Sequence, residues 1–163
     1  MNPSSPLPEL PAFGFLAGVE SSHREFLASF GEFVRPKNGE IVIAEGAAQN
    51  HLYLILSGML HVVTTAGERL LLIATLGAGD SLGEVNVFDP ASASASVMAR
   101  SECLIWRITS DQLGVFFSAD PEGGVELMQG LLRLAAKRIR AMNAKLVDSE
   151  EKSAFHDFWK GSE

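Results

Sequence analysis

Between residues 33 and 108 the chain is built from short β-type segments separated by glycine turns, and this spacing confines it to an antiparallel β architecture. Residues 40–44 run into Glu45-Gly46, and residues 52–56 into Ser57-Gly58. Residues 60–64 turn at Ala66-Gly67-Glu68, and residues 70–76 end at Gly77-Ala78-Gly79-Asp80. Residues 96–100 and 103–108 supply two more strands. Gly39, Gly46, Gly58 and Gly79 suit tight turns that need positive φ. The pattern predicts a mainly β domain with flanking helices: an antiparallel β-roll of the jelly-roll or double-stranded β-helix type, followed by a long C-terminal helix.

The flanks read differently. Pro3, Pro6, Pro8 and Pro11 make residues 1–12 an extended lead-in. Phe13-Gly14-Phe15-Leu16 is an apolar anchor. Residues 20–30 are predicted to be a short helix burying Val19, Phe26, Leu27 and Phe30, capped by Ser21 or Ser22 with Glu25 in the first turn. After the strands, residues 110–117 form one helix. Asp120 is the expected N-cap of the next, with Pro121 its first residue, Glu122 a favourable first-turn acid, and Gly123 and Gly124 weakening that turn.

Met128, Leu132, Ala135, Ile139, Met142 and Leu146 then recur at alternating steps of four and three, a heptad seam. Leu131 and Leu134 widen the apolar side. The seam either docks wholly on its own domain or also pairs with a second copy in a homodimer. Arg133, Lys137, Arg138, Arg140 and Lys145 are read as its wet side, most of them ordinary solvated charges. Asp148-Ser149-Glu150-Glu151 breaks the pattern, and Phe155, Phe158 and Trp159 mark a terminal segment that folds back or meets a partner. The domain organisation is therefore a lead-in at 1–12, a folded domain at 13–147 and a tail at 148–163.

Composition excludes several classes. The 163 residues support one domain, 47% hydrophobic and 20% charged. A net charge of -7 disfavours general binding to nucleic acid or anionic membranes. Cys103 is the only cysteine, so no intrachain disulfide forms. No signal peptide or membrane-length apolar run is evident, and a cytoplasmic protein is expected. There is no Gly-x-Ser-x-Gly elbow, P-loop or His-Glu-x-x-His pattern, so no catalytic residues are assigned. His23, His51, His61 and His156 are dispersed without metal-ligand spacing, and no metal is expected.

Several ordered pieces carry a resemblance: Phe13 to Leu16, Gly39-Glu40-Ile41-Val42, Glu45-Gly46, the run from His51 to Gly58, Gly79-Asp80-Ser81-Leu82-Gly83-Glu84, Ala95-Ser96-Val97 and Leu104-Ile105-Trp106-Arg107-Ile108. Each is weak alone. Together, in order and spacing, the chain from about residue 10 to 147 resembles the cyclic nucleotide-binding domain family of bacterial catabolite activators and cyclic-AMP-dependent kinase regulatory subunits.

The resemblance implies a pocket. Gly83 and Glu84 stand where the family's Gly-Glu pair opens a short helix, with the glutamate accepting a hydrogen bond from the ribose hydroxyl. Amides from Gly83 to Val85 would face the phosphate, with Ser94 at one of its oxygens. The family's phosphate-binding arginine falls at Ala93, and Asn86 replaces a small residue. The candidate ligand-binding set is Gly83, Glu84, Val85, Asn86, Ser92, Ala93, Ser94 and Ala95. Such an arginine contributes about 2–4 kcal/mol in a shielded site, roughly thirty-fold to a thousand-fold in affinity. Arg100 or an arginine of the C-terminal helix could substitute.

The expected function is a non-enzymatic regulatory or sensor protein with no bound cofactor, which takes cyclic AMP or cyclic GMP weakly or a different small ligand. The alternative is a ligand-free dimerisation or protein-interaction module. The expected partners are a second copy, through the C-terminal helix, and a separate effector protein. The sixteen or so residues after Val147 are too few for a DNA-reading domain, and no membrane contact is expected.

Overall fold

A computed structural model describes residues 9–67 and 69–160, without the side chains of Ala66 and of residues 148–160. Most of the lead-in lies outside the described residues. Its end is anchored: Leu10 is buried, and its carbonyl accepts a hydrogen bond from Arg24 Nε at 2.8 Å.

A 3-10 turn, Gly14–Leu16, and helix α1, Ser21–Ala28, precede the strands. Phe15 and Leu16 are buried, as the anchor reading required. The α1 cap differs from expectation. Glu20 is the N-cap residue and no side chain caps the helix, because both serines lie inside the first turn. Phe26 also departs from its expected burial, being half exposed and edge-on to Phe30 at 4.9 Å between ring centroids.

The strands are β1 Glu32–Val34, β2 Ile41–Ile43, β3 Ala48–Gln49, β4 His51–Ser57, β5 Leu60–Ala66, β6 Arg69–Leu76, β7 Ser81–Leu82, β8 Ala91–Ser92, β9 Ser96–Ala99 and β10 Leu104–Thr109. Gly39, Gly46, Gly58 and Gly79 all adopt positive φ, at the predicted turns. The strands pair antiparallel in three separate sheets, ordered β1-β10-β4-β7, β2-β9-β5-β6 and β3-β8.

No sheet closes on itself, so the expected roll is corrected to a mixed α/β domain of open antiparallel sheets and C-terminal helices. The physical reason lies at the edges. Strand β7 has only two residues, because Gly83 turns the chain away at φ 76°. Register shifts at Ile41/Ile43 and Val62/Val63 disturb both flanking ladders of the second sheet. "Mainly β" fails as well, since one helix alone spans 40 residues.

The first sheet is buried on both faces, which is why β4 reads as a continuous apolar run. Tyr53, Ile55 and Ile105 face the second sheet and pack with Ile43, Leu60, Val97 and Ala99. Leu52, Leu54, Trp106 and Ile108 face the helices and pack with Phe15, Leu27, Phe116, Leu127 and Leu131.

Helix α2, Ser110–Ala119, begins with a Thr109–Gln112 capping box. Helix α3, Pro121–Lys160, begins at the predicted cap: Asp120 Oδ1 accepts from the Gly123 amide at 3.0 Å. The helix does not break at Asp148–Glu151 but continues to Lys160. The side chains of Phe155, Phe158 and Trp159 lie outside the described set. Gly130 lets α3 approach closely, since a Cβ there would collide with the Phe15 carbonyl.

Candidate functional site

A cavity of about 120 Å³ opens between the two four-stranded sheets, beside the small β3–β8 ladder. Strand alternation supplies its floor. Ile43, Val62, Leu82 and Val97 point inward from β2, β5, β7 and β9, and Ala93 and Ala95 complete the apolar lining. Gly83, Gln49, Asn86 and Ser94 form the rest. Gly83 is required where it stands, because at φ 76° a Cβ would strike the His51 carbonyl.

The structure brings together five of the eight predicted residues: Gly83, Asn86, Ala93, Ser94 and Ala95. Three are elsewhere. Val85 is 63% exposed on the outer side of its turn. Ser92 pairs with Ala48 and lines a separate open groove with Gln49, Asn50, Pro90 and Ala91. Glu84 turns away from the cavity towards α3.

The segment expected to open a short helix forms only turns. The Val87 amide bonds the Gly83 carbonyl at 2.9 Å, and the Asp89 amide bonds the Val85 carbonyl at 2.8 Å. The side chains of Asn86 and Ser94 have no hydrogen-bond partner among the described residues. Gln49 accepts a bond from the Tyr53 hydroxyl at 3.1 Å, and its amide nitrogen has no partner among the described residues. Tyr53 is buried, which pushes its phenol above the ordinary value. The His51 ring lies tilted against it at 5.7 Å between centroids, and burial, helped by the Arg107 charge, lowers the imidazole pKa. No cation replaces the missing arginine inside the cavity: none of its lining residues is charged.

Arg138 is instead engaged behind the cavity. Its guanidinium forms an ion pair with Glu84 Oε1 and donates to the Ser81 carbonyl at 2.7 Å. The Glu84 side chain is only 10% exposed, and its Oε2, like Ser81 Oγ, is buried without a partner among the described residues. Burial lowers the Arg138 pKa, and the nearby Asp80 carboxylate opposes that shift. Arg138 therefore departs from the wet-side reading. The signal was present in the sequence: Leu127, Leu131, Leu134 and Arg138 follow steps of four, three and four, so Arg138 continues the docking face rather than the solvent face. Gln49 and the apolar floor carried no such signal.

The heptad seam faces outward at every position but the half-buried Ala135. Met128, Leu132, Ile139, Met142 and Leu146 are 43–71% exposed, while Leu127 and Leu131 on the adjoining face are buried. No helix among the described residues is long and apolar enough to cross a membrane, and no His/Cys/Asp/Glu cluster among them could hold a metal ion.

Comparison with known proteins agrees with this geometry. The family model "Cyclic nucleotide-binding domain" matches residues 33–120. A CRP-like cAMP-activated global transcriptional regulator of Mycobacterium tuberculosis is 31% identical over 136 residues, covering 83% of this chain and 59% of that protein. The Thermus thermophilus catabolite activator protein superposes with a TM-score of 0.74 at 21% identity, covering 84% of this chain and 63% of that one. A cyclic nucleotide-binding domain from Methylobacillus flagellatus superposes at 0.72 and 24% identity, covering 80% and 74%.

The chain belongs to the cyclic nucleotide-binding domain family. It is related in sequence to regulatory, sensor-type proteins of that family. It spans about three-fifths of the length of the curated regulator it matches.

Proposed function

We propose that this domain senses a small ligand in the cavity between the sheets and passes occupancy to α3. The observation that carries the reading is the Arg138 contact. It ties α3 to Ser81 and Glu84, which flank Leu82 and Gly83 in the cavity wall. A ligand that shifts the turn after β7 changes this pair and so favours one placement of α3 over another. Gly83, Asn86, Ser94 and Ala95 are the proposed contacts, with Ala93 in place of the phosphate-binding arginine. Glu84 serves first as the link to the helix.

The output proposed for α3 is self-association. Its exposed seam keeps heptad spacing, and a single apolar stripe pairs well with an identical stripe across a two-fold axis. A homodimer in the cytoplasm, acting on a separate effector protein, follows from this reading. The exposed stripe also supports a second reading, in which the module dimerises without any ligand.

Cyclic AMP and cyclic GMP are the first ligands to test, by calorimetric titration of the purified chain. Without the arginine, affinity is expected about thirty-fold to a thousand-fold below that of Ala93→Arg. Saturation at one ligand per chain supports the sensor. Equal affinity in the two proteins would sink the role given to position 93.

A further inference from the structure

We infer that the cavity takes an uncharged, planar, amide-bearing molecule of nucleobase size rather than a cyclic phosphate. The inference rests on the sensor reading and names its ligand class.

Charge is the first argument. No lining residue is charged, and the charged residues within two positions of the lining in the chain, Glu45, Asp80 and Glu84, are all acidic. The Glu45 carboxylate is held by Thr64 Oγ1 at 3.2 Å, two residues from Val62 of the floor. The cation of α3 that comes closest in role, Arg138, is committed to Glu84 and the Ser81 carbonyl. An anion entering here would lose its water and meet no counter-charge, which is strongly unfavourable.

Size is the second. About 120 Å³ is slightly less than the roughly 150 Å³ of an engineered cavity that holds benzene. That suits one flat ring system, and base, ribose and phosphate together would extend through the open mouth into solvent.

Polarity is the third. The floor is aliphatic, suited to a ring face. The polar groups at its margin are the Gln49 amide nitrogen, the whole Asn86 carboxamide and the Ser94 hydroxyl. Two carboxamides and a hydroxyl offer both donors and acceptors, the complement of a heterocycle edge that alternates N–H and C=O. Ligand pockets commonly combine an apolar lining with a few such groups.

The test is an NMR titration of the full chain with hypoxanthine, uracil, nicotinamide and cyclic AMP, following the side-chain amide signals of Gln49 and Asn86. At least one neutral probe is expected to shift both signals and to bind about tenfold or more tightly than cyclic AMP, with little dependence on salt. Asn86→Leu should weaken that probe about tenfold with the fold intact, and Ala93→Arg should swing the preference towards cyclic AMP. Tighter binding of cyclic AMP to the unmodified chain, weakening as salt rises, overturns the neutral-ligand inference and leaves the sensor standing. No shift from any of the four probes at millimolar concentration overturns both.

Discussion

Arg138 and Glu84 are the pair on which the site turns. Glu84 is nearly buried, its Oε2 has no partner among the described residues, and Arg138 is the cation paired with its carboxylate. Removing one member of such a pair leaves an uncompensated buried charge. Arg138 is itself 41% exposed, so solvent screens part of the effect. Arg138→Ala is expected to destabilise the fold by about 1–2 kcal/mol, and Arg138→Ala with Glu84→Gln to recover most of it. Urea unfolding of both variants checks this; equal losses would mean that the pair is incidental to stability. The Gly83-Glu84 motif was legible only through the family resemblance, and the positive φ that requires glycine there appears in the structure. The direction of the Glu84 side chain was not legible, because it is set by a partner 54 positions away.

At the scale of elements, the junction of α1, α2 and α3 contains a contact that titrates near neutral pH. His23 Nδ1 lies 2.6 Å from Asp120 Oδ2, and the other oxygen of Asp120 caps α3. The hydrogen bond to Asp120, with added attraction from Asp120, Glu126 and Glu122, raises the His23 pKa against an opposing desolvation effect. The folded value thus exceeds the unfolded one near about 6.5. Stabilisation from this contact is complete below the unfolded value and is lost as pH rises through the raised folded value. His23→Gln should therefore lower Tm most at about pH 5.5, and the gap to the unmodified protein should narrow by about pH 8.5. A gap that stays constant or widens with pH would remove the imidazolium from the account. The α3 cap was visible in Asp120-Pro121-Glu122; its histidine clamp, 97 residues earlier, had no local sign.

For the molecule as a whole, the unresolved burial is on the outside. Strand β6 leaves Leu70, Leu71, Leu72 and Ile73 at 48–66% exposure along an edge, and α3 leaves its seam uncovered. Apolar surface of this extent marks an interaction face. Leu132→Lys with Ile139→Lys is expected to convert a dimer to a monomer in sedimentation equilibrium, with little loss of domain stability, since neither side chain is buried in the chain alone. A monomer before substitution would refute pairing through α3.

The sequence by itself determined the elements that depend on near neighbours in the chain. Glycine spacing located the positive-φ turns, apolar runs located the longer strands, and Asp120-Pro121 located the start of α3, because each is decided within a few residues. Tertiary structure alone decided whether the sheets close and which side of its turn Glu84 occupies. Two-residue strands such as β7 carry too little pattern to reveal where a ladder ends. An ion pair between distant residues is fixed only when packing brings a sheet turn and a helix together. The fold family was thus written in local signals, and the character of the cavity in contacts that no local signal contains.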